Sequence, residues 1–113
     1  MNVGYAEAAL AELESIVNFY AAESPVLANR FRLDLQRAEE LLALNPLAGH
    51  LVSNGYRRLL FRVFPFGFIY CLNGRLNETG ESIEIIAIAH QHRRPGYWQN
   101  RIHEESAIYQ LAA

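Results

Sequence analysis

The sequence predicts an α+β domain in which a short N-terminal strand and an antiparallel helical hairpin pack on a small, mostly antiparallel sheet. Three observations carry this prediction. Apolar residues recur at three-and-four spacing as far as Leu44, they alternate or run continuously from Tyr56 onward, and Pro, Gly and Asn mark the junctions. The length of 113 residues suits one domain spanning 1–113. Apolar residues make up 51% of the chain and charged residues 19%, a balance that supports a continuous core.

A short strand is expected at Asn2–Tyr5. From Ala6 to about Ala22, Ala9, Leu13, Ile16 and Tyr20 share one helical face, flanked by Leu10, Val17 and Phe19. Glu7, Glu12 and Glu14 place negative charge in the first half of that helix, where its dipole favours it. Ser24-Pro25 then marks a new start: Ser24 suits the cap, and Pro25 suits the first helical position because its missing N–H has no partner there. Ala28, Phe31, Leu35, Ala38 and Leu42 line the second helix, with Leu41 and Leu44 alongside, and Asn45-Pro46 ends it. So short a connection folds the two helices into an antiparallel pair.

From Tyr56, Leu59, Phe61 and Val63 alternate with Arg58, Leu60 and Arg62, which predicts an apolar face and a guanidinium face with Arg58 and Arg62 on the same side. Phe64-Pro65-Phe66-Gly67 reads as a turn or bulge. Phe68–Leu72 and Ile83–Ala89 read as buried strands, Asn73 to Ser82 as a connecting loop, and His50 as a loop residue. Residues 101–113 read as a closing helix or a tail.

Charge is unevenly distributed. Residues 1–50 hold three arginines against seven acidic side chains, whereas residues 51–100 hold six arginines against three glutamates, within a net charge of −2. The strands therefore carry the basic character, suited to nucleic acid or an acidic protein partner. All ten basic residues are arginine. No lysine is available as a general base or Schiff-base amine, and every fixed cation is a planar fork suited to carboxylate, phosphate or an aromatic face. The single cysteine, Cys71, excludes an internal disulfide framework and reads as a small core residue. The start Met1-Asn2-Val3-Gly4-Tyr5 lacks the basic and apolar runs of a signal peptide, and no apolar stretch is long enough to span a bilayer. A cytoplasmic location without membrane contact is the expectation.

Several segments, in this order, carry a family likeness: Ala8-Ala9-Leu10, Leu41–Gly49, Tyr56-Arg57-Arg58, Phe64–Tyr70, and above all Ile85–Trp98, a last strand ending in His90 and an Arg-, Tyr- and Trp-containing exit. Over roughly residues 3–101 the chain resembles the ParE/RelE superfamily of bacterial type II toxins. That resemblance implies a toxin without cofactor or metal, neutralised by a cognate antitoxin that wraps it as a hetero-oligomer and carries any contact with operator DNA. ParE-like members inhibit DNA gyrase by protein contact, and RelE-like members cut messenger RNA on the ribosome. The missing lysine and the acidic net charge favour the ParE-like branch, a reading with no catalytic residues.

On the ParE-like reading Arg93, Arg94, Tyr97 and Trp98 are the candidates for target contact, and Arg58, Arg62, Phe64 and Phe66 for antitoxin binding. The RelE-like alternative takes Arg58, Arg62, His90 and Tyr97 as a metal-independent ribonuclease site, in which imidazole and phenol move protons and guanidinium groups steady the phosphate. A third reading keeps the fold and the antitoxin but not the toxicity. Each candidate also has a structural reading: solvated arginines on a sheet face, a strand-end histidine, and a Trp98 that folds back to plug the core. His90 and His92 on one strand face, with His103 or Glu104 added, have the spacing of a metal pair but no further clustered ligand.

Overall fold

The computed structural model describes residues 2–72 and 82–102. β1 (Asn2–Tyr5) leads into α1 (Glu7–Glu23) and α2 (Pro25–Leu44), followed by β2 (His50–Ser53), β3 (Tyr56–Leu60), β4 (Phe66–Leu72) and β5 (Ser82–His90). The five strands form one sheet in the order β1-β5-β4-β3-β2, with β1 parallel to β5 and the remaining pairs antiparallel. The α+β class and the mostly antiparallel sheet are as the sequence predicts.

The helices meet at Ser24, whose extended backbone turns the chain and whose Oγ accepts from the N–H groups of Val26 and Leu27 at 3.2 and 3.4 Å. With Pro25 at the first position, this cap satisfies donors that the helix cannot. Ala28, Phe31, Leu35, Ala38 and Leu42 are all buried, and the pair covers one sheet face. Tyr20, Phe31, Phe61, Phe64, Phe66 and Phe68 fill the space between, several in edge-to-face pairs with centroids 4.9–6.4 Å apart.

Three departures from the sequence reading have clear causes. His50 opens β2, a short exposed edge strand with a register shift between Leu51 and Ser53. It is anchored through Tyr70 of β4, whose hydroxyl donates to Pro46 O and accepts from Gly49 N–H at 2.8 and 2.9 Å. Gly49 fits there because a Cβ would lie 2.7 Å from the Arg58 carbonyl oxygen. β3 stops at Leu60 rather than running through Val63. The carboxylate of Asp34 on α2 accepts the N–H groups of Arg62, Val63 and Phe64 at 3.3, 3.0 and 2.8 Å, replacing the ladder with a corner. Phe61 and Phe64 consequently point inward, Val63 is 70% exposed, and Arg62 leaves the face that carries Arg58. β5 also carries a bulge: Ile69 pairs with Ala87 but Tyr70 with Ile85. Ile83, Ile85 and Ile88 thus face the helices while consecutive Ile86 and Ala87 face the opposite side.

The strand assigned to Ile83–Ala89 is present and lies inside the sheet, while Ser82, read as loop, belongs to it. The rest of the expected loop, 73–81, and most of the expected closing helix or tail, 103–113, lie outside the described residues.

Asp34 is 3% exposed and holds three backbone donors. Replacing it with Ala strands those groups, so Asp34→Ala should lower unfolding free energy by about 2–4 kcal/mol. Urea unfolding followed by circular dichroism measures this, and a change within error of zero would contradict the clamp.

Candidate target-binding cleft

The bulge in β5 builds the sheet's second face. Ile86 and Ala87 join Ile69 as an apolar floor, and Trp98 lies on it, 4% exposed, with its ring 5.6 Å from that of Tyr56. Trp98 is therefore a plug for the second core. The chain reaches it through a tight exit. Gln91 N–H donates to Pro65 O, Arg93 N–H to His90 O, and Tyr97 N–H to Arg94 O. Gly96 adopts φ 77°, a left-handed conformation that suits glycine.

Between this exit and β3 runs a cleft of about 380 Å³. Ile69, Ala89 and Trp98 line its base, and the cations at its walls are Arg58, Arg93 and Arg94, all exposed. Among the described residues, no acidic side chain lines it. Three guanidinium groups around an apolar base make a surface for carboxylates or phosphates, with flat area for an apolar side chain between them.

A second cluster fixes the exit from the other side. β1 ends at Tyr5, where Ala6 N–H donates to Ile85 O, and among the described residues no strand pairs with this edge of β5 beyond Ile85. Glu12 of α1 fills that vacancy by accepting from Ile88 N–H at 3.1 Å. Its carboxylate also accepts from Tyr97 Oη at 2.6 Å and from both Arg101 terminal nitrogens at 2.8 and 3.0 Å. Arg101 further donates to Ile86 O at 2.9 Å. The Tyr97 ring is flanked by the guanidinium carbons of Arg93 and Arg101, 4.2 and 5.2 Å from its centroid. Burial alone would raise the Glu12 pKa, but the hydrogen bonds from Arg101, Tyr97 and Ile88 more than offset this and leave it lowered. Tyr97 is raised, first by burial and then by its bond to the Glu12 carboxylate.

The sequence-derived candidates therefore separate. Arg58, His90, Arg93 and Arg94 share the cleft. Tyr97 borders it, but its hydroxyl donates to Glu12 on the other side. Arg62 lines a different groove, beside Arg37 and Leu41. Phe64 and Phe66 are 8% and 9% exposed within the aromatic core, so of the four expected antitoxin contacts only Arg58 and Arg62 present their side chains. His92 lies past the end of β5 rather than on its face. Its N–H donates to His90 Nδ1 at 3.0 Å, and the two rings sit 5.4 Å apart. The third metal partner considered, His103 or Glu104, lies outside the described residues. Among those residues no group of three or more His, Cys, Asp or Glu is placed to hold a metal ion, and no helix is long and apolar enough to cross a membrane.

Sequence reasoning did not single out Glu12, Asp34 or Arg101. The first two left a signal: Glu12 shares a helical face with Ala9, Leu13 and Ile16, and Asp34 with Phe31, Leu35 and Ala38. A carboxylate on a core-facing stripe needs a buried partner. Arg101 gave no such signal, because its position depends on the whole exit.

A helical hairpin covering one face of a mostly antiparallel sheet is a fold this chain shares with a solved structure, a chromosomal ParDE toxin–antitoxin system from P. aeruginosa. The two share 23% identity, with 80% of this chain and 95% of that chain covered at a TM-score of 0.64. A family profile described as the ParE toxin of the type II toxin–antitoxin system parDE matches residues 3–95. The chain belongs to the ParE toxin family. A search of curated proteins gives no match.

The Glu12 carboxyl loses its proton more readily in the folded protein than in the unfolded chain. Its stabilisation is therefore complete above the ordinary carboxylate pKa and fades as pH falls through the lowered folded value. Glu12→Gln should cost about 1–3 kcal/mol at neutral pH, and the difference from wild type should shrink as pH falls below the ordinary carboxylate range. Urea titrations across that range test it, and a pH-independent difference would refute the ionic role.

Proposed function

We propose that this chain is a toxin that inhibits DNA gyrase by protein–protein contact and is held inactive by a cognate antitoxin. Membership of the ParE family supports the toxin class, and the likeness to a ParDE toxin–antitoxin system supports an antitoxin partner. The observation that carries the target reading is the cleft walled by Arg58, Arg93 and Arg94, with no acidic side chain in its lining among the described residues. Exposed guanidinium groups on a rigid exit are suited to acidic loops of a large protein target. Arg93 and Arg94 make the contact, Tyr97 and Trp98 hold the segment that presents them, and Arg58 and Arg62 serve the antitoxin.

The ribonuclease alternative draws support from one observation, that Arg58 and His90 share the cleft. Against it, Arg62 lines another groove, and the Tyr97 hydroxyl is bonded to Glu12 with its pKa raised, which makes it a weak proton acceptor near neutral pH.

Pulse labelling after induced expression in bacteria without antitoxin separates the readings. Thymidine incorporation should fall before amino-acid incorporation. Toxicity should survive His90→Ala and be lost in the double variant Arg93→Glu, Arg94→Glu. A prior fall in protein synthesis, abolished by His90→Ala in a folded protein, would replace the gyrase reading with the ribonuclease one.

A further inference from the structure

Arg93 and Arg94 are neighbours in sequence, both exposed and both at the walls of the cleft, yet their surroundings differ. The Arg93 guanidinium carbon stands 4.2 Å from the centroid of the Tyr97 ring, whose face attracts the cation. Among the described residues, Arg94 has no such ring beneath it. Arg93 also borders a second cavity of about 480 Å³ beside α1, lined by Ala8, Ala11, Ser15 and Glu12. A long, flexible cation at the boundary of two cavities spreads over both unless something holds it. The Tyr97 ring, which lines both, is the surface that holds Arg93.

The ring is itself held from α1. Its hydroxyl donates to the Glu12 carboxylate at 2.6 Å, and that carboxylate is fixed by Ile88 N–H and by both Arg101 terminal nitrogens. A phenol that donates to a carboxylate gains electron density, which strengthens the pull of its ring on a cation. Arg101 has a second effect. By pairing with Glu12 through two bonds it matches the charge of the one carboxylate lining the α1 cavity, so Arg93 is not drawn into that cavity. A guanidinium held in place before contact spares part of the ordering cost of association.

We propose that Glu12 and Arg101 are positioning residues for target contact: acting through the Tyr97 ring, they hold Arg93 as the preorganised cation of the cleft, while Arg94 orders its side chain only on contact. The inference rests on the gyrase reading above. It makes the two adjacent arginines unequal and ties one of them to a carboxylate on the first helix.

Two double-variant cycles on the full chain test this, read as the half-inhibitory concentration in a DNA-supercoiling assay with purified gyrase. Tyr97→Phe removes only the hydroxyl that ties the ring to Glu12, and it should raise that concentration about fivefold or more. Added to Arg93→Ala, the same change should raise it by less than about twofold, because no cation is left to position. Added to Arg94→Ala, it should keep its full effect. Glu12→Gln, at the other end of the bond, should give the same pattern in variants that circular dichroism shows to be folded. In proton NMR the Arg93 side-chain signals should be shifted upfield by the Tyr97 ring and move back in Tyr97→Phe. Additive losses in both cycles, or Arg93 signals unmoved by Tyr97→Phe, overturn this inference and leave the gyrase reading intact. A wild-type chain that does not inhibit supercoiling overturns the gyrase reading and this inference with it.

Discussion

β5 is longer than the neighbour that pairs with it, and much of the molecule follows from that mismatch. β1 covers its edge only from Ser82 to Ile85, and an inner strand with unpaired groups beyond that point would be unstable in an apolar setting. Glu12 reaches from α1 to take the Ile88 N–H, and Arg101 comes back from the exit to supply the Ile86 carbonyl. One carboxylate thereby ties the first helix, the inner strand β5 and the segment after the sheet. With its partner guanidinium it forms a bidentate pair, and the two side chains are 19% and 25% exposed, a geometry in which charge-assisted hydrogen bonds keep most of their strength.

Asp34 does similar work on the other side of the hairpin. By accepting three successive N–H groups it ends β3 and turns the chain, and this turn decides which residues become neighbours. Had the strand continued through Val63, Arg58 and Arg62 would stand together with the cleft arginines. The corner instead sends Arg62 toward α2 and leaves the cleft to Arg58, Arg93 and Arg94. The same turn directs Phe61 and Phe64 into the aromatic core, against Phe31 at 5.8 and 5.4 Å. A helix carboxylate thus separates two basic surfaces that strict alternation along the strand would merge.

Elements set by local periodicity were legible in the sequence. The helical stripes, the Ser24-Pro25 junction and the two apolar strands all appear where spacing and capping chemistry put them. Features produced by competition between distant groups were not. Alternation from Tyr56 to Val63 is a sound strand signal, yet the three backbone hydrogen bonds accepted by Asp34, 28–30 residues away in sequence, outweigh it. The bulge that places Ile86 and Ala87 on one face leaves no mark in a run of apolar residues, because every register of that run looks alike. β2 escaped notice because it is four residues long with a largely exposed pattern, held by Tyr70 and its register with β3 rather than by its own composition. For the site, residue types were readable but their grouping was not: the cleft unites Arg58 with Arg93 and Arg94 only after β3, β4 and β5 are paired.

Net charge misdescribes what a partner of this chain meets. The formal value is −2, yet several acidic residues are turned into the structure. Glu12 is tied to Arg101, Asp34 is buried against backbone donors, Glu39 accepts from the Tyr5 hydroxyl at 2.7 Å, and Glu84 is 7% exposed on β5. The arginines of the cleft and of the α2 groove remain outward, and their field reaches solvent while those carboxylates chiefly serve local hydrogen bonds. A small acidic protein can therefore offer two basic surfaces, each with apolar ground between its cations. On each surface the cations can pair with acidic groups while the apolar ground between them takes an apolar side chain.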